Sequence, residues 1–82
     1  MDVLSSIQMA IDFIEENICE DIKLDAISDH VYLSPYHFQR LFSMVCGITL
    51  GEYIRNRRLS LAGIEVEKSN EKIIDIALKY QY

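Results

Sequence analysis

Residues 33–42, with the sequence LSPYHFQRLF, place three hydrogen-bonding side chains on one side of a predicted helix: Tyr36, Gln39 and Arg40. An apolar stripe occupies the opposite side: Phe38, Leu41, Phe42 and Val45. A glutamine can bind adenine through two hydrogen bonds, an arginine can bind guanine O6 and N7, and an aromatic ring can contact the thymine methyl group. This pattern is compatible with base recognition in the DNA major groove, but the residues alone do not favour it over a surface that touches no DNA. An ordinary solvent-exposed helix surface is the alternative.

The ends of this helix carry residues suited to capping. Ser34 can accept a hydrogen bond from an N–H group of the first turn, and Pro35 fits the first helical position because its missing N–H would go unused there. Gly47 supplies the left-handed residue that commonly ends a helix. The sequence therefore predicts a helix over about residues 35–46.

Composition excludes several classes of protein. No apolar run approaches the roughly 18 residues needed to span a bilayer, and the N-terminus lacks the features of a signal peptide. Cys19 and Cys46 are too few for a disulfide framework, and with His30 and His37 they match no zinc-binding spacing. We therefore expect a cytoplasmic protein with no membrane association, metal or cofactor. No catalytic residues are expected either, because His37 fits a helix surface better than a general base.

The charge is distributed unevenly along the chain. The net charge is −5, yet residues 35–58 hold four arginines against one glutamate, whereas residues 1–34 hold eight acidic residues against one lysine. A basic region that begins with the 35–46 helix is compatible with a nucleic-acid partner, although solvated helix surface would give the same pattern. The acidic first helix allows a second hypothesis, a module that docks a basic protein surface such as that of RNA polymerase.

Hydrophobic spacing predicts an all-α fold of five helices: 3–17, about 24–31, 35–46, 50–67 and a fifth capped by Ser69 or Asn70. Thr49 and Glu52 form a capping box at the start of the fourth helix. Two short helices separated by a few residues, the second with a polar outer face, are typical of a helix-turn-helix. In that motif the second helix enters the major groove.

The run LSPYHFQRLFSMVCGITLGEYIRNRRLSLA closely resembles the signature of AraC/XylS-type bacterial transcription regulators. The second half of that signature is G-x-[ST]-x-x-x-Y-[IL]-x-x-x-R-[LM]-x-x-A. It is matched here by Gly47, Thr49, Tyr53, Ile54, Arg58, Leu59 and Ala62. KIIDIALKYQY resembles the start of the family's second helix-turn-helix, I-x-x-[IL]-A-x-x-x-G-[FY].

The resemblance implies a homeodomain-like three-helix unit over residues 1–48 and a linker helix over 49–68. Residues 69–82 would be the first helix of an incomplete second unit. It also implies sequence-specific binding of double-stranded DNA for transcriptional regulation. The implied base contacts are Tyr36, Gln39 and Arg40, and the implied backbone contacts are Ser34, Ser43, Thr49, Arg55 and Arg57. Arg58 matches a position that often braces the domain, so packing or an internal ion pair is an equal alternative to DNA contact.

The sequence departs from the family pattern at three positions. Ser28 replaces a preferred alanine, Tyr32 occupies a turn site where small residues are common, and Gln81 replaces the turn glycine of the second unit. A bulky Tyr32 predicts a tighter turn or an extra packed ring, and Gln81 predicts an altered turn.

The chain stops at Tyr82, just before the expected second recognition helix, so a truncated piece is expected. The apolar side of the fifth helix would then lose its cover and favour self-association: Ile73, Ile76, Ala77 and Tyr80. By analogy with the family, a small-molecule effector would bind a C-terminal domain of the parent protein.

Overall fold

The computed structural model describes residues 2–82, which form five helices: α1 Val3–Glu16, α2 Leu24–His30, α3 Pro35–Cys46, α4 Leu50–Lys68 and α5 Ile73–Lys79. No strand occurs in this part of the chain. The predicted all-α fold is therefore confirmed. Among residues 2–82, no helix combines the length and the apolar character that crossing a membrane requires.

Side-chain caps fix where the first, third and fourth helices begin. Asp2 Oδ1 accepts a hydrogen bond from the Ser5 N–H at 2.7 Å. Ser34 Oγ accepts from the His37 N–H at 3.2 Å, and α3 ends at Gly47 with φ 79° in the left-handed region. These contacts satisfy backbone groups that a helix leaves unpaired at its ends. They place the first residue of α3 where the sequence predicted it.

The fifth helix begins later than predicted. Ser69 and Asn70 were the predicted caps, but Lys72 is the N-cap residue and makes no side-chain capping bond. Ser69 Oγ instead accepts from the Glu71 N–H at 3.0 Å. This local side-chain-to-backbone bond competes with helix formation, so the chain turns before α5 starts.

Part of the core forms where α1, α2 and α3 meet. Phe38 and Phe42 are fully buried on the inner side of α3. The Phe42 ring also lies 5.5 Å from the Tyr53 ring of α4, centroid to centroid. Val45 departs from the predicted stripe, because it is 42% exposed in the last turn of α3, where the stripe is only partly covered. Burial of Phe38 and Phe42 therefore orients α3 so that its polar face points outward.

The inner side of α5 is covered by the chain itself. Ile76 and Tyr80 are only 1% and 5% exposed and belong to the same core cluster as Phe42. The expectation that they lose their cover is wrong, since α5 packs back onto α4. Ile73 and Leu78 stay exposed, so self-association through the exposed apolar residues of α5 stays a prediction.

Two turns share one backbone pattern. The Leu33 N–H donates to the Ser28 carbonyl at 3.0 Å, and the Tyr82 N–H donates to the Ala77 carbonyl at 2.9 Å. The residue before each donor is left-handed, Tyr32 with φ 61° and Gln81 with φ 73°. This is the Schellman arrangement that closes a helix.

Both sequence departures at these turns are therefore accommodated without an altered turn. The Tyr32 ring is 83% exposed, so the expected extra packed ring is absent. A left-handed non-glycine residue costs about 1–2 kcal/mol of stability. The backbone hydrogen bonds that close each turn offset this cost.

Candidate nucleic-acid interface

The outward face of α3 gathers the predicted base-contacting side chains into one surface. Five side chains line a shallow depression of about 350 Å³: Tyr36, Gln39, Arg40, Ser43 and Met44. Four of them were singled out from the sequence. Met44 was missed, although its spacing of four residues from Arg40 places it on the same face of a helix. We call these five residues the recognition surface.

The Arg40 side chain is held in place within the recognition surface. Its Nη1 donates a hydrogen bond to the Tyr36 hydroxyl at 3.0 Å, and its Cζ lies 5.7 Å from the centre of the Tyr36 ring. In residues 2–82, the ion pairs involve other cations, so no carboxylate neutralises this guanidinium. One terminal nitrogen is engaged by Tyr36, and the remaining N–H donors are available to a partner.

The two predicted phosphate contacts at helix N-termini differ in their hydrogen bonding. Ser34 Oγ accepts from a backbone amide, and its own hydroxyl hydrogen has no acceptor within residues 2–82. Thr49 Oγ1 accepts from the Glu52 N–H at 3.1 Å and also donates to Glu52 Oε1 at 3.1 Å. Thr49 therefore caps α4 as predicted, but Glu52 accepts from the Thr49 hydroxyl, whereas a capping box has this carboxylate accept from the Thr49 backbone N–H. The carboxylate beside Thr49 disfavours an anion. Ser34 is the better placed of the two for a phosphate.

The arginines of α4 point in different directions. Arg57 pairs with Glu15 of α1, with Nη2 to Oε1 at 2.7 Å and Nε to both carboxylate oxygens at 3.1 Å. Tyr53 donates to the same carboxylate at 3.3 Å. The hydrogen bond from Arg57 is the main cause that lowers the pKa of Glu15 below its usual value. The ion pair orients Arg57 toward α1, whereas Arg55 is exposed and forms none of the ion pairs in residues 2–82.

Arg58 braces the fold through backbone carbonyls. Its Nε donates to the Ile18 carbonyl at 2.9 Å, and its Nη2 donates to the Glu20 carbonyl at 2.7 Å. Between them, the Cys19 carbonyl accepts from Gln81 Nε2 at 2.7 Å. Three successive carbonyls that follow α1 are thus bound by side chains of α4 and of the last turn. The bracing role considered for Arg58 fits this geometry, with carbonyls in place of an ion-pair partner.

The sequence matches a protein-family model and several bacterial regulatory proteins. The family model for bacterial regulatory helix-turn-helix proteins, AraC family, matches residues 14–55. The HTH-type transcriptional activator AarP of Providencia stuartii is 44% identical over 70 residues, which cover 85% of this chain and 52% of that protein. The regulatory protein SoxS of Salmonella typhimurium is 40% identical over 76 residues, which cover 93% of this chain and 71% of that protein.

A solved structure has the same fold. It is a transcriptional regulator of the AraC-type DNA-binding domain-containing proteins from Chromobacterium violaceum, with a TM-score of 0.89 and 25% sequence identity. The match covers 96% of this chain and 70% of that chain. This chain spans about half the length of AarP and of the transposon Tn10 TetD protein.

Proposed function

Because the chain belongs to the AraC family of bacterial regulatory helix-turn-helix proteins, we propose that it binds double-stranded DNA in a sequence-specific manner and regulates transcription. The observation that carries this proposal is the recognition surface itself. An arginine that forms none of the ion pairs in residues 2–82, a glutamine and a tyrosine project together from a helix whose opposite side buries two phenylalanines. The family is one of regulatory proteins, which argues against an enzyme.

In the proposed complex, α3 lies in the major groove. Gln39 pairs with an adenine, and Arg40 pairs with guanine O6 and N7. Tyr36 orients Arg40 through its hydroxyl and presents its ring to the neighbouring base pair. This assignment is supported by the exposure of all three side chains.

Phosphate contacts fix the register of α3 in this proposal. We assign contacts with the DNA backbone to Ser34 at the N-cap of α3, to Ser43 of α3 and to Arg55 of α4, because each is at least partly exposed and no carboxylate of residues 2–82 binds its side chain. Thr49 would have to share its hydroxyl with Glu52, and Arg57 would have to leave Glu15. We therefore assign these last two a weaker part in binding.

A site selection from random duplex DNA, using the whole 82-residue chain, tests the proposal. Gln39→Ala and Arg40→Ala should each weaken binding to the selected site by about 1–3 kcal/mol and relax the preference at one base pair. Both side chains are exposed, so circular dichroism should show an unchanged fold. Gln8→Ala, an exposed glutamine of α1, is the matched control and should bind like the parent.

Equal affinity of the parent and both α3 variants would contradict the proposed reading of bases. The rival function, docking of a basic protein through α1, predicts the reverse pattern. Its exposed carboxylates include Asp12 and Glu16, and loss of RNA polymerase binding on Asp12→Ala with unchanged DNA binding would favour it. We also propose RNA polymerase as a partner on the strength of the acidic α1, a small-molecule effector by analogy with the family, and a cytoplasmic location.

A further inference from the structure

Met44 presents an apolar side chain to solvent within an otherwise hydrogen-bonding surface. It is 74% exposed, although it belongs to a well-formed helix with buried positions on the other side. An isolated exposed apolar residue needs no explanation. Met44 is not isolated, however, because it lines the same depression as Tyr36, Gln39 and Arg40.

The position of Met44 along α3 determines which base pair it can contact relative to Arg40. Four residues separate it from Arg40, which at 1.5 Å per residue is about 6 Å along the helix axis. Successive bases of one strand are about 3.4 Å apart along the duplex. With α3 lying along the groove, Met44 meets a base pair about two steps from the one that Arg40 contacts.

The chemistry of the side chain selects one base. In the major groove, thymine alone of the four standard bases presents a methyl group, and apolar side chains recognise it by contact. Methionine is unbranched and polarizable, so it adapts its shape to such a group. Neither the sulfur nor the methylenes of Met44 can replace the hydrogen bonds that the other bases offer there.

We propose that Met44 is a specificity-determining residue that contacts a thymine methyl group about two base pairs from the guanine bound by Arg40. The inference rests on the proposed function and adds to it the identity of one base. The recognition surface then reads hydrogen-bonding edges with Gln39 and Arg40 and a methyl group with Met44.

The test removes the methyl group from the DNA and the thioether from the protein separately. In a duplex selected by the 82-residue chain, each thymine is replaced in turn by uracil, which differs only by lacking the methyl group. Burial of one such carbon should be worth about fourfold in affinity. At one position, uracil should therefore weaken the parent about fourfold, whereas Met44→Ala should bind the thymine and uracil duplexes equally.

Val45→Ala is the matched control, since Val45 is also apolar and 42% exposed but does not line the depression. It should keep the response of the parent to uracil. Identical uracil responses of the parent and Met44→Ala, on a site that the parent selects, would overturn the inference alone. Failure of the parent to select any site would overturn the proposed function, and this inference with it.

Discussion

At the scale of single residues, Phe42 and Val45 belong to one apolar stripe predicted for α3 but differ in how deeply they are buried. Phe42 is fully buried and touches both α3 and α4 aromatic neighbours, whereas Val45 is 42% exposed. We expect Phe42→Ala to lower the free energy of unfolding by about 3–5 kcal/mol, since the cavity cannot collapse fully. Val45→Ala should change it by no more than about 0.5 kcal/mol. Urea titrations followed by circular dichroism measure both.

A comparable loss in the two variants would show that the last turn of α3 is as tightly packed as its centre. Domains of this size have little stability to spare, so Phe42→Ala should leave much of the chain unfolded at room temperature. If that variant is fully folded without denaturant and close to the parent in stability, then Phe42 does not have the central place in the core assigned to it here.

The outward residues of α3 were predictable because their placement depends only on the helical period. Tyr36, Gln39 and Arg40 lie opposite the buried phenylalanines, as expected. The orientation of Arg57 was not predictable, because its partner Glu15 is distant in sequence and meets it only after α3 has packed against both α1 and α4. Periodicity fixes the face of a helix, whereas the partner of a long charged side chain depends on tertiary packing.

At the scale of helices, the Glu15–Arg57 ion pair joins α1 to α4. Its hydrogen bonds hold the pKa of Glu15 below the usual value of 4.5. A carboxylate with a lowered pKa in the folded state stabilises the fold fully above the pKa of the unfolded chain. That contribution is lost as the pH falls through the folded pKa. The link between α1 and α4 should therefore weaken in acid, at pH values below about 4.5.

Glu15→Gln tests this link. Both partners are partly exposed, so the variant should lose only about 0.5–1 kcal/mol at neutral pH. It should also lose less stability than the parent when the pH is lowered from 7 to 3, as measured by urea midpoints. Glu16→Gln, on the same helix, is exposed and forms none of the ion pairs in residues 2–82, and it should follow the parent. An equal loss of stability between pH 7 and pH 3 in Glu15→Gln and the parent would contradict a stabilising role of the Glu15–Arg57 ion pair.

The existence of the five helices was predictable from spacing and caps, but the start of α5 was not. Its predicted caps, Ser69 and Asn70, precede a turn in which Ser69 binds the Glu71 amide instead. Serine suits a helix cap and a local turn equally, and sequence alone does not choose between them.

At the scale of the whole molecule, the chain is elongated, 43 × 21 × 17 Å, and α4 joins its two ends. Glu65 of α4 accepts hydrogen bonds from Tyr80 and from Lys79, at 2.7 Å for the lysine. The bond to Glu65 is the main cause that raises the pKa of Tyr80 to about 12. Because Tyr80 belongs to the common core, its ionisation reports on the docking of α5 to the rest of the protein.

Alkaline titration tests that docking. The unfolded chain releases the tyrosine proton near pH 10, before the folded chain does, so stability should fall between pH 10 and about 12. Ultraviolet absorbance of the parent should show one tyrosine ionising last, and Tyr80→Phe should remove that step. Glu65→Gln should move it toward pH 10. A titration unchanged by Glu65→Gln would mean that α5 does not dock on α4 through this carboxylate.

The two left-handed turns, at Tyr32 and Gln81, show that a sequence motif describes only part of a turn. At Tyr32 the side chain is almost entirely in solvent, and the turn is closed by backbone groups alone. At Gln81 the same backbone hydrogen bonds close the turn, while the side chain donates to the Cys19 carbonyl. The identity of the left-handed residue is therefore a poor indicator of this turn. A sequence pattern that requires glycine at that position would miss the turns at Tyr32 and Gln81. The two turns share the geometry of their amide groups, and the identities of the side chains do not reveal it.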